Sequence, residues 1–366
     1  MRICVFSERM AEPFDEGIKS YASHLIGEFG KAHKVMALTT FGESIPALGI
    51  ENVCANKLLW SISLARKMRL FKPELIIYVP TACATPFSFL RARVLKAYGR
   101  GAPVVLVALQ VRAYGWLARR VMPHLRPDLV LVQSERTRAT LEPYGCRLRL
   151  VPPGVDLERF QPAAPESRAQ LRQAYGIDPQ SYVILHVGHL NRGRNVQALL
   201  PLQRPGNQVV VVGSTSTPQD EGLVQELIQA GVKVVGEFVS DIVEVYQMAD
   251  CYVFPVSGKT SAIDLPLSVL EAMACDLPVV STRFGGLPAQ FGAARSLRYV
   301  EDLSQLVEAV EACKGLVVDE SCFPMTVGRN KTRPKAGTRE MVRPFAWPKV
   351  VPAILEGICD DLGLAR

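Results

Sequence analysis

Short runs of β-branched residues alternate with longer helical stretches along most of this 366-residue chain. In the first half the predicted strands are Arg2–Phe6, Lys34–Leu38, Leu75–Val79, Pro103–Leu109, Asp128–Gln133 and Leu148–Val151. The predicted helices between them are Ile18–Phe29, Lys57–Leu70, Pro86–Tyr98 and Glu135–Tyr144. Alternation of this kind predicts a parallel sheet that is covered by helices on both faces.

The alternation stops at Pro152-Pro153-Gly154 and then resumes. Two prolines and a glycine end regular structure and stiffen the path, as an interdomain connector should. The second set of predicted strands is Val183–Val187, Gln208–Val212, Val232–Val235, Cys251–Pro255 and Pro278–Ser281. The helices of this set are Val196–Leu202, Glu221–Ala230, Ile242–Met248, Leu267–Cys275 and, at the end, Phe345–Leu362.

This organisation predicts an α/β protein of two Rossmann-like domains that face each other across a cleft. The first domain is expected at residues 1–152, the connector at 153–166 and the second domain at 167–344, with a closing helix at 345–366. An apolar share of 48% and a charged share of 21% suit a soluble globular protein and exclude a disordered, collagenous or disulfide-scaffold chain.

The nine cysteines are scattered and include no Cys-x-x-Cys pair, so neither a zinc ribbon nor a redox motif is visible. This usage is typical of a reducing compartment. The chain opens on a strand-like segment, and no apolar run reaches the roughly 18–20 residues that span a bilayer. We therefore expect a cytoplasmic protein.

The net charge of +7 is distributed unevenly. Residues 1–150 carry 22 basic and 11 acidic side chains, whereas residues 151–366 carry 20 and 24. Basic clusters lie at 66–72, 91–100 and 112–126, and the last includes Trp116, Leu117, Val121 and Met122. Basic residues among aromatic and aliphatic ones are typical of a helix on an anionic membrane surface, although a solvated basic face has the same composition.

Several motifs of well-known enzyme classes are absent. Gly258-Lys259-Thr260 resembles the end of a P-loop, but Val253 stands where that motif needs a glycine. No Gly-x-Gly-x-x-Gly follows the first strand, and neither Gly-x-Ser-x-Gly nor His-Glu-x-x-His occurs. These absences argue against dehydrogenases, serine hydrolases of that type and metalloproteases.

One group of residues in the second half suits a nucleotide ligand. The segment from Pro266 to Ala274 places a helix N-terminus after the strand Cys251–Pro255, where open α/β sheets bind ligands. The free N–H groups and positive dipole of a helix start suit a diphosphate. The carboxylate of Glu271, one turn later, matches the vicinal hydroxyls of a ribose. A solvated helix glutamate is the alternative interpretation.

The loop Gly188–Arg194 follows a predicted strand and precedes a helix, which would direct its cations towards the same place. Arg194, with Arg192 or Lys259, could neutralise the charge that develops on a departing nucleoside diphosphate. A basic surface turn remains the alternative. His186 is expected in the core, whereas His189 lies on the loop.

Together these features resemble the retaining glycosyltransferases of the GT-B fold, in particular family 4. The resemblance is carried by three segments in order, which are Val151–Pro162, Ala249-Asp250 before its strand, and Leu270–Ala274 with Leu277–Val280. It implies a C-terminal helix that crosses back to the first domain. It also implies a sugar transfer that retains the anomeric configuration.

The resemblance also implies roles for individual residues. Glu271 would hold the ribose of the donor, and Arg194 stands where the family usually has a lysine that contacts the diphosphate. Further donor-binding positions implied in this way are Gly17, Gly188, Gly213, Ser214, Glu237, Phe238, Leu265, Pro266 and Leu267.

Three positions differ from the family pattern. Ile263 stands where the first glutamate of a pair is usual, and the adjacent Asp264 is the candidate replacement. His189 occupies a position that is usually an arginine, and Gln110 one that is often a histidine. Asp264, His189 and Arg194 are the candidate catalytic residues.

The sequence thus predicts transfer of a sugar from a nucleotide-sugar donor to an acceptor hydroxyl, on a glycan or a lipid-linked molecule. Polysaccharide or glycolipid biosynthesis is the expected setting, with possible peripheral contact with an anionic membrane. No carboxylate cluster indicates a metal, and no cofactor is expected beyond the donor. Alternatives are a non-catalytic nucleotide-sugar-binding subunit and an epimerase or phosphorylase of the same fold. Nucleic-acid binding is disfavoured because no module for it is recognisable.

Overall fold

The structure, a computed structural model, describes residues 1–14, 16–110, 112–215, 218–236, 239–258, 260–314 and 337–365. The chain divides into two compact units. The first unit contains Met1–Gly154, Ala262–Leu265 and Trp347–Arg366, and the second contains Val155–Ser261 and Pro266–Ala346. Each unit is a parallel sheet with helices, so the predicted pair of Rossmann-like domains is confirmed.

The first unit is built on a seven-stranded parallel sheet of spatial order β3-β2-β1-β4-β5-β6-β7. Its central strands consist almost entirely of buried aliphatic residues, as expected for strands that are covered on both faces. The strands are β1 (Arg2–Arg9), β2 (Lys34–Phe41), β3 (Ile50–Asn52), β4 (Leu75–Tyr78), β5 (Val104–Ala108), β6 (Leu129–Val132) and β7 (Leu148–Leu150).

Polar caps set the starts of several helices in this unit. The N-cap residue Thr85 forms a capping box with Ser88, and Pro86 between them occupies the first helical position. Ser61 and Ser134 each accept a hydrogen bond from a first-turn amide. The helices are α1 (Gly17–Gly30), α2 (Ile62–Phe71), α3 (Pro86–Tyr98), α4 (Trp116–Val121) and α5 (Glu135–Leu141).

One hydrophobic core of the first unit lies between the sheet and the layer formed by α2, α3 and α5. Alternate residues of the strands, such as Phe6 and Tyr78, face it. Leu64 and Met68 of α2 and Phe89 of α3 cover them. These three helices therefore pack on one face of the sheet, together with the turn at Met122 that follows α4.

The second unit has a six-stranded parallel sheet of order β10-β9-β8-β11-β12-β13. Strands β8 and β9 pair along their whole length, from Tyr182 opposite Asn207 to Gly188 opposite Gly213. The strands are β8 (Tyr182–Gly188), β9 (Asn207–Gly213), β10 (Lys233–Val235), β11 (Cys251–Phe254), β12 (Val279–Thr282) and β13 (Leu297–Val300).

The helices of the second unit are α6 (Pro165–Ala174), α7 (Glu221–Gln229), α8 (Val243–Gln247), α9 (Leu267–Ala274), α10 (Leu287–Gln290), α11 (Leu306–Lys314) and α12 (Thr338–Val342). The chain then returns to the first unit with α13 (Trp347–Leu362), where the ring of Trp347 stacks on His24 and meets Tyr21 edge-on. The expectation of a closing helix that belongs with the first domain is confirmed.

Local details differ from the sequence-based prediction where a polar or rigid residue intervenes. The helix expected from Lys57 begins only at Ile62, because Asn56 folds residues 58–60 into a turn. Val196–Leu202 is a 3-10 helix that contains Pro201. Pro165 starts α6 within the expected connector, and Val155 bridges Ala346, so this segment is ordered structure and not a bare linker.

None of the helices in the described part of the chain is both long enough and apolar enough to span a membrane.

Candidate functional site

Glu271 lies in the middle of α9, one turn after its start, and its carboxylate is fixed by a neighbouring helix. The hydroxyl of Tyr246 on α8 donates a hydrogen bond of 2.7 Å to Oε2 of Glu271. Burial raises the pKa of Glu271, while this hydrogen bond and the charge of Arg159 act in the opposite direction. The carboxylate is thus held in one orientation within a partly desolvated setting.

Tyr252 on β11 lies near both Glu271 and Arg194. Its hydroxyl is 2.8 Å from Oγ of Ser268, in the first turn of α9, and 3.3 Å from the carbonyl oxygen of Val187. Burial raises the pKa of Tyr252, the Glu271 carboxylate raises it further, and the Arg194 guanidinium lowers it. The structure therefore brings the two residues that the sequence predicted for ribose and diphosphate around one tyrosine.

Arg194 ends a short 3-10 turn after β8, and its guanidinium lies over Gly188. A Cβ added at Gly188 would be 2.8 Å from Nη1 of Arg194. The absence of a side chain at Gly188 is thus what lets the guanidinium approach the end of the strand. Ser261 holds the two loops together by donating a 3.0 Å hydrogen bond to the carbonyl oxygen of Gly193.

Arg192 points elsewhere, although the sequence places it beside Arg194. Its Nη2 is 2.6 Å from a carboxylate oxygen of Glu226 on α7, and its Nε is 3.8 Å from Asp220. These partners neutralise its charge at the surface of the unit. His189 lies on the same loop and is half-buried.

The predicted nucleobase positions lie at the end of β9. Gly213 pairs with Gly188 of β8, and the space where its side chain would be is occupied by Leu190 and by Gln219, whose Nε2 is 2.8 Å from the Cβ position. Ser214 follows and is buried. Three further predicted donor residues, Glu237, Phe238 and Lys259, lie outside the described residues.

The start of α9 has the predicted form with one chemical exception. The amides of Leu267 and Ser268 begin the helix and have no partner within it, whereas those of Val269 and Leu270 donate to the carbonyl oxygen of Pro266. Pro266 is the N-cap residue and has no N–H, so it can contribute only its carbonyl group, which accepts from Val269. Leu265 is buried and belongs to the first unit.

Asp264, the candidate replacement for the missing glutamate, is directed into the first unit. It is 2% exposed, and Oδ2 accepts hydrogen bonds of 2.5 Å from both Ser134 and Thr137 at the start of α5. Its amide donates to the carbonyl oxygen of Leu109 at 2.7 Å. The carboxylate therefore anchors this short segment to α5.

Ile263 and Gln110 complete this arrangement in the first unit. The Cδ1 atom of Ile263 is 3.0 Å from the Cβ position of Gly17, so the residue at the usual glutamate position covers the glycine at the start of α1. Gln110 is buried and donates a 2.9 Å hydrogen bond to the carbonyl oxygen of Ala262. Both residues hold the segment Ala262–Leu265 in place.

Sequence reasoning missed the residues that support Glu271. Tyr246 is fully buried, and its ring meets that of Phe160 edge-on at 5.6 Å. Arg339 donates to the carbonyl oxygens of Phe160 at 2.6 Å and Leu157 at 2.9 Å, and also to that of Ala274 at the end of α9. No local pattern marks these contacts, because they join residues between 65 and 182 positions apart.

The titratable residues of the described ranges do not assemble into a metal site, since no group of three or more His, Cys, Asp or Glu side chains is suitably placed.

The chain resembles known proteins in sequence and in fold. The family model described as Glycosyl transferases group 1 matches residues 181–314. A D-inositol 3-phosphate glycosyltransferase from Corynebacterium jeikeium is 31% identical over 189 residues, which cover 46% of this chain and 44% of that protein. A GDP-mannose-dependent alpha-(1-6)-phosphatidylinositol monomannoside mannosyltransferase from Mycolicibacterium smegmatis is 27% identical over 304 residues, which cover 74% of this chain and 78% of that protein. The matched region spans about half the length of the inositol phosphate relatives.

Solved structures share the fold over nearly the whole chain. Anabaena HepE in complex with UDP has a TM-score of 0.75 at 15% identity, covering 98% of this chain and 100% of that one. Sucrose-phosphate synthase from Thermosynechococcus elongatus has a TM-score of 0.72 at 20% identity, covering 98% of each chain. Residues 181–314 are therefore similar to the glycosyl transferases group 1 family, and the chain has the two-domain GT-B fold of these solved structures.

Proposed function

We propose that this protein is a glycosyltransferase that moves a sugar from a nucleotide-sugar donor to an acceptor hydroxyl. The observation that carries the proposal is the group of polar side chains around Tyr252, which includes Arg194, Ser268 at the start of α9 and Glu271 one turn later. A guanidinium and a helix start suit a diphosphate, and a fixed carboxylate suits the hydroxyls of a ribose. The relatives and the UDP-bound neighbour named above support the same ligand class.

The proposed mechanism stabilises the leaving group. As the bond between the sugar and the diphosphate breaks, negative charge grows on the phosphate oxygens, and Arg194 with the amides at the start of α9 would stabilise it. The acceptor oxygen would bond to the anomeric carbon on the face that the diphosphate leaves, while a phosphate oxygen of the departing diphosphate accepts the proton of the acceptor hydroxyl, so the configuration is retained. This route requires no metal or other cofactor from the protein.

A panel of UDP, GDP and ADP sugars tests the donor assignment. A nucleotide that binds only the folded state adds about 2.7 kcal/mol of stability at 100 times its Kd, which appears as a higher melting temperature. We expect one nucleoside diphosphate to stabilise the wild-type protein and to lose this effect with Glu271→Ala. Failure of the whole panel to shift melting would refute nucleotide-sugar binding.

Retention and metal independence need a turnover experiment. The anomeric coupling constant of the NMR spectrum of the product reports its configuration, and parallel reactions with EDTA and with added Mg²⁺ report metal dependence. We expect the configuration of the donor to be kept and the rate to be unchanged by EDTA.

We further propose that the acceptor is lipid-linked or membrane-bound and that the first unit contacts an anionic membrane. On α2, Ile62, Arg66, Arg69 and Leu70 share one face by their helical spacing. Ile62 is 90% and Leu70 72% exposed, and with Trp60 these four residues line a groove. Exposed apolar side chains between arginines are what an interfacial helix presents to acidic headgroups.

The same helical layer carries a second patch of this kind. Trp116 and Leu117 on α4 are exposed next to Arg119 and Arg120. Phe87 on α3 is also exposed, so six of the ten exposed large apolar side chains of the described residues fall between positions 60 and 117. This concentration favours a lipid surface over an evenly solvated basic face.

Co-sedimentation with vesicles tests this contact. We expect binding to phosphatidylglycerol-containing vesicles that weakens with salt and is lost with Arg66→Glu combined with Arg69→Glu. Lys31→Glu combined with Lys34→Glu makes the same change in net charge on exposed residues elsewhere in the unit and should bind normally. Equal loss in both double variants would indicate a general charge effect and refute α2 as the contact.

A non-catalytic nucleotide-sugar-binding subunit is the second candidate function. It is favoured by Ile263, which covers Gly17 where a glutamate is usual, and by Asp264, whose carboxylate is engaged by Ser134 and Thr137. Donor binding without either transfer or hydrolysis, in the presence of a range of acceptors, would support this role over the enzyme.

A further inference from the structure

His186 is buried on β8 in a place where its ring has one satisfied nitrogen. It is 0% exposed and lies between the rings of Tyr252 and Phe254 on the adjacent strand β11. Its Nδ1 is 2.9 Å from the carbonyl oxygen of Val253. A carbonyl oxygen can only accept, so Nδ1 carries the hydrogen in this contact.

The other nitrogen, Nε2, is an acceptor without a partner in the described structure. Burial lowers the pKa of His186 to about 4, and the nearby Arg194 guanidinium lowers it too, so the ring is neutral at neutral pH. With the hydrogen on Nδ1, the lone pair is on Nε2, which is buried and makes no hydrogen bond to any of the described residues. A buried polar atom left unpaired is costly, and such an atom in a native protein calls for an explanation.

The position of Gly188 shows which charged group lies near Nε2. A Cβ at Gly188 would lie 3.4 Å from Nε2 of His186 and 2.8 Å from Nη1 of Arg194. The acceptor nitrogen and the guanidinium therefore border the same small space, which exists only because residue 188 has no side chain. The guanidinium of Arg194 offers only N–H donors, and Nε2 of His186 is an acceptor close to it, so the two groups are complementary.

We infer that His186 is a positioning residue: a rotation of the Arg194 guanidinium, which makes no hydrogen bond to Nε2 in the described structure, lets Nε2 accept one and turns the guanidinium towards the diphosphate of the donor. The inference rests on the proposed function. A carboxylate at this place would orient the arginine equally well but would neutralise the charge that the diphosphate needs. A neutral imidazole orients the guanidinium without adding a negative charge that would compete with the diphosphate.

Two substitutions separate the two ring nitrogens. In His186→Asn, the side-chain amide can replace Nδ1 and keep the bond to Val253, but nothing replaces Nε2. In His186→Gln, the longer amide can place its oxygen where Nε2 lies. We expect His186→Asn to weaken binding of the stabilising nucleoside diphosphate, tested with UDP, GDP and ADP, about tenfold, and His186→Gln to remain within about threefold of the wild type.

Two outcomes of this binding experiment would overturn the inference. One is wild-type affinity in His186→Asn. The other is equal weakening in both variants together with an equal fall in melting temperature, which would make His186 a packing residue only.

A second measurement needs no nucleotide and so separates this inference from the proposed function. Nitrogen-15 NMR of the free protein reports the Nδ1–H tautomer and the hydrogen-bonded state of Nε2. We expect the Nε2 signal of His186 to shift when Arg194 is replaced by alanine and to stay unchanged with Arg192→Ala. An Nε2 chemical shift that is the same in the wild type and in Arg194→Ala would disprove the contact even if nucleotide binding is intact. If instead the wild-type protein binds none of the three nucleotides, the proposed function fails while the NMR result still decides the contact.

Discussion

The hydroxyl of Tyr246 on α8 donates a 2.7 Å hydrogen bond to Oε2 of Glu271 on α9, and so joins a fully buried tyrosine to the carboxylate proposed to hold the donor. Burial raises the pKa of Tyr246 well above its ordinary value, and the negative charge of Glu271 raises it further. The phenol therefore stays protonated at neutral pH and donates to the Glu271 carboxylate.

Removal of this hydroxyl should cost stability. Tyr246→Phe leaves the ring packing against Phe160 but deprives the desolvated Glu271 carboxylate of its donor, so we expect a loss of about 1–3 kcal/mol in the free energy of unfolding. Tyr21 provides the matched control, since its hydroxyl is also buried but has no hydrogen-bond partner among the residues that the structure describes. Tyr21→Phe should be neutral or stabilising in the same denaturant titration, and equal losses in the two variants would contradict the assigned role of the hydrogen bond.

Donor affinity should depend on pH through Glu271. Burial raises its pKa, so the carboxylate takes up a proton at higher pH than the usual value of about 4.3. The protonated form accepts hydroxyl donors poorly, and affinity should therefore fall as the pH is lowered through this raised pKa. Protonation of Glu271 itself favours the folded state in that range, so the loss is not unfolding at this residue.

Glu271→Gln is the control for this pH dependence. Its amide does not titrate, so calorimetric affinities should be lower than those of the wild type at pH 7.5 and nearly constant down to pH 5. Parallel pH profiles for the two proteins would assign the dependence to another group.

The sequence predicted the sheet cores well because a buried parallel strand leaves a local pattern. Runs such as Leu75–Tyr78 and Val104–Ala108 contain almost only aliphatic residues, and α3 begins and ends where its capping residues and Pro86 indicate. By contrast, β13 was missed because Leu297–Val300 includes Arg298 and Tyr299, which are only half-buried. A strand that is not fully covered by helices can contain polar residues, and its sequence then lacks the continuous aliphatic run that marks a buried strand.

The sequence could predict where the candidate site residues lie along the chain, but not the contacts that join residues far apart in sequence. Glu271 and Arg194 lie at loop and helix positions that a strand-to-helix pattern reveals. The direction of Asp264 does not follow from its neighbours, because its partners Ser134 and Thr137 are 130 and 127 residues away. The strand position of His186 predicts only that it lies in the core. Its proposed role towards Arg194 follows from the three-dimensional proximity of both side chains to Gly188.

The two arginines of the loop after β8 should differ strongly in their effect on donor binding. Arg194 lies over Gly188 near Tyr252, whereas Arg192 is paired with Glu226 and Asp220. We expect Arg194→Ala to weaken nucleoside diphosphate binding at least tenfold, because a charge-assisted contact to phosphate is removed. Arg192→Ala should change affinity less than about twofold, since exposed ion pairs contribute little. Comparable losses in calorimetry would show that the phosphate contact is not specific to Arg194.

Asp250, which the family resemblance marks only as a motif residue, should be among the most important for the stability of the second unit. It is 7% exposed, and its carboxylate binds Arg168, Nη2 of Arg172 at 2.5 Å and the amide of Val183 at the start of β8 at 2.7 Å. Asp250→Ala would leave the buried Arg172 guanidinium without its anion, which we expect to cost about 3–5 kcal/mol.

The exposed ion pair between Glu301 and Arg283 is the control for Asp250→Ala, because its loss should cost no more than about 1 kcal/mol. Thermal unfolding of the two variants, Asp250→Ala and Glu301→Ala, measured with and without a bound nucleotide, tests this difference. Asp250→Ala should lower the melting temperature of the second unit and, with it, the temperature at which nucleotide binding is lost, whereas Glu301→Ala should leave both near their wild-type values. If the two variants melt alike, the three contacts of Asp250 at the start of β8 do not hold the unit together, and the stability of this sheet must come from its apolar core alone.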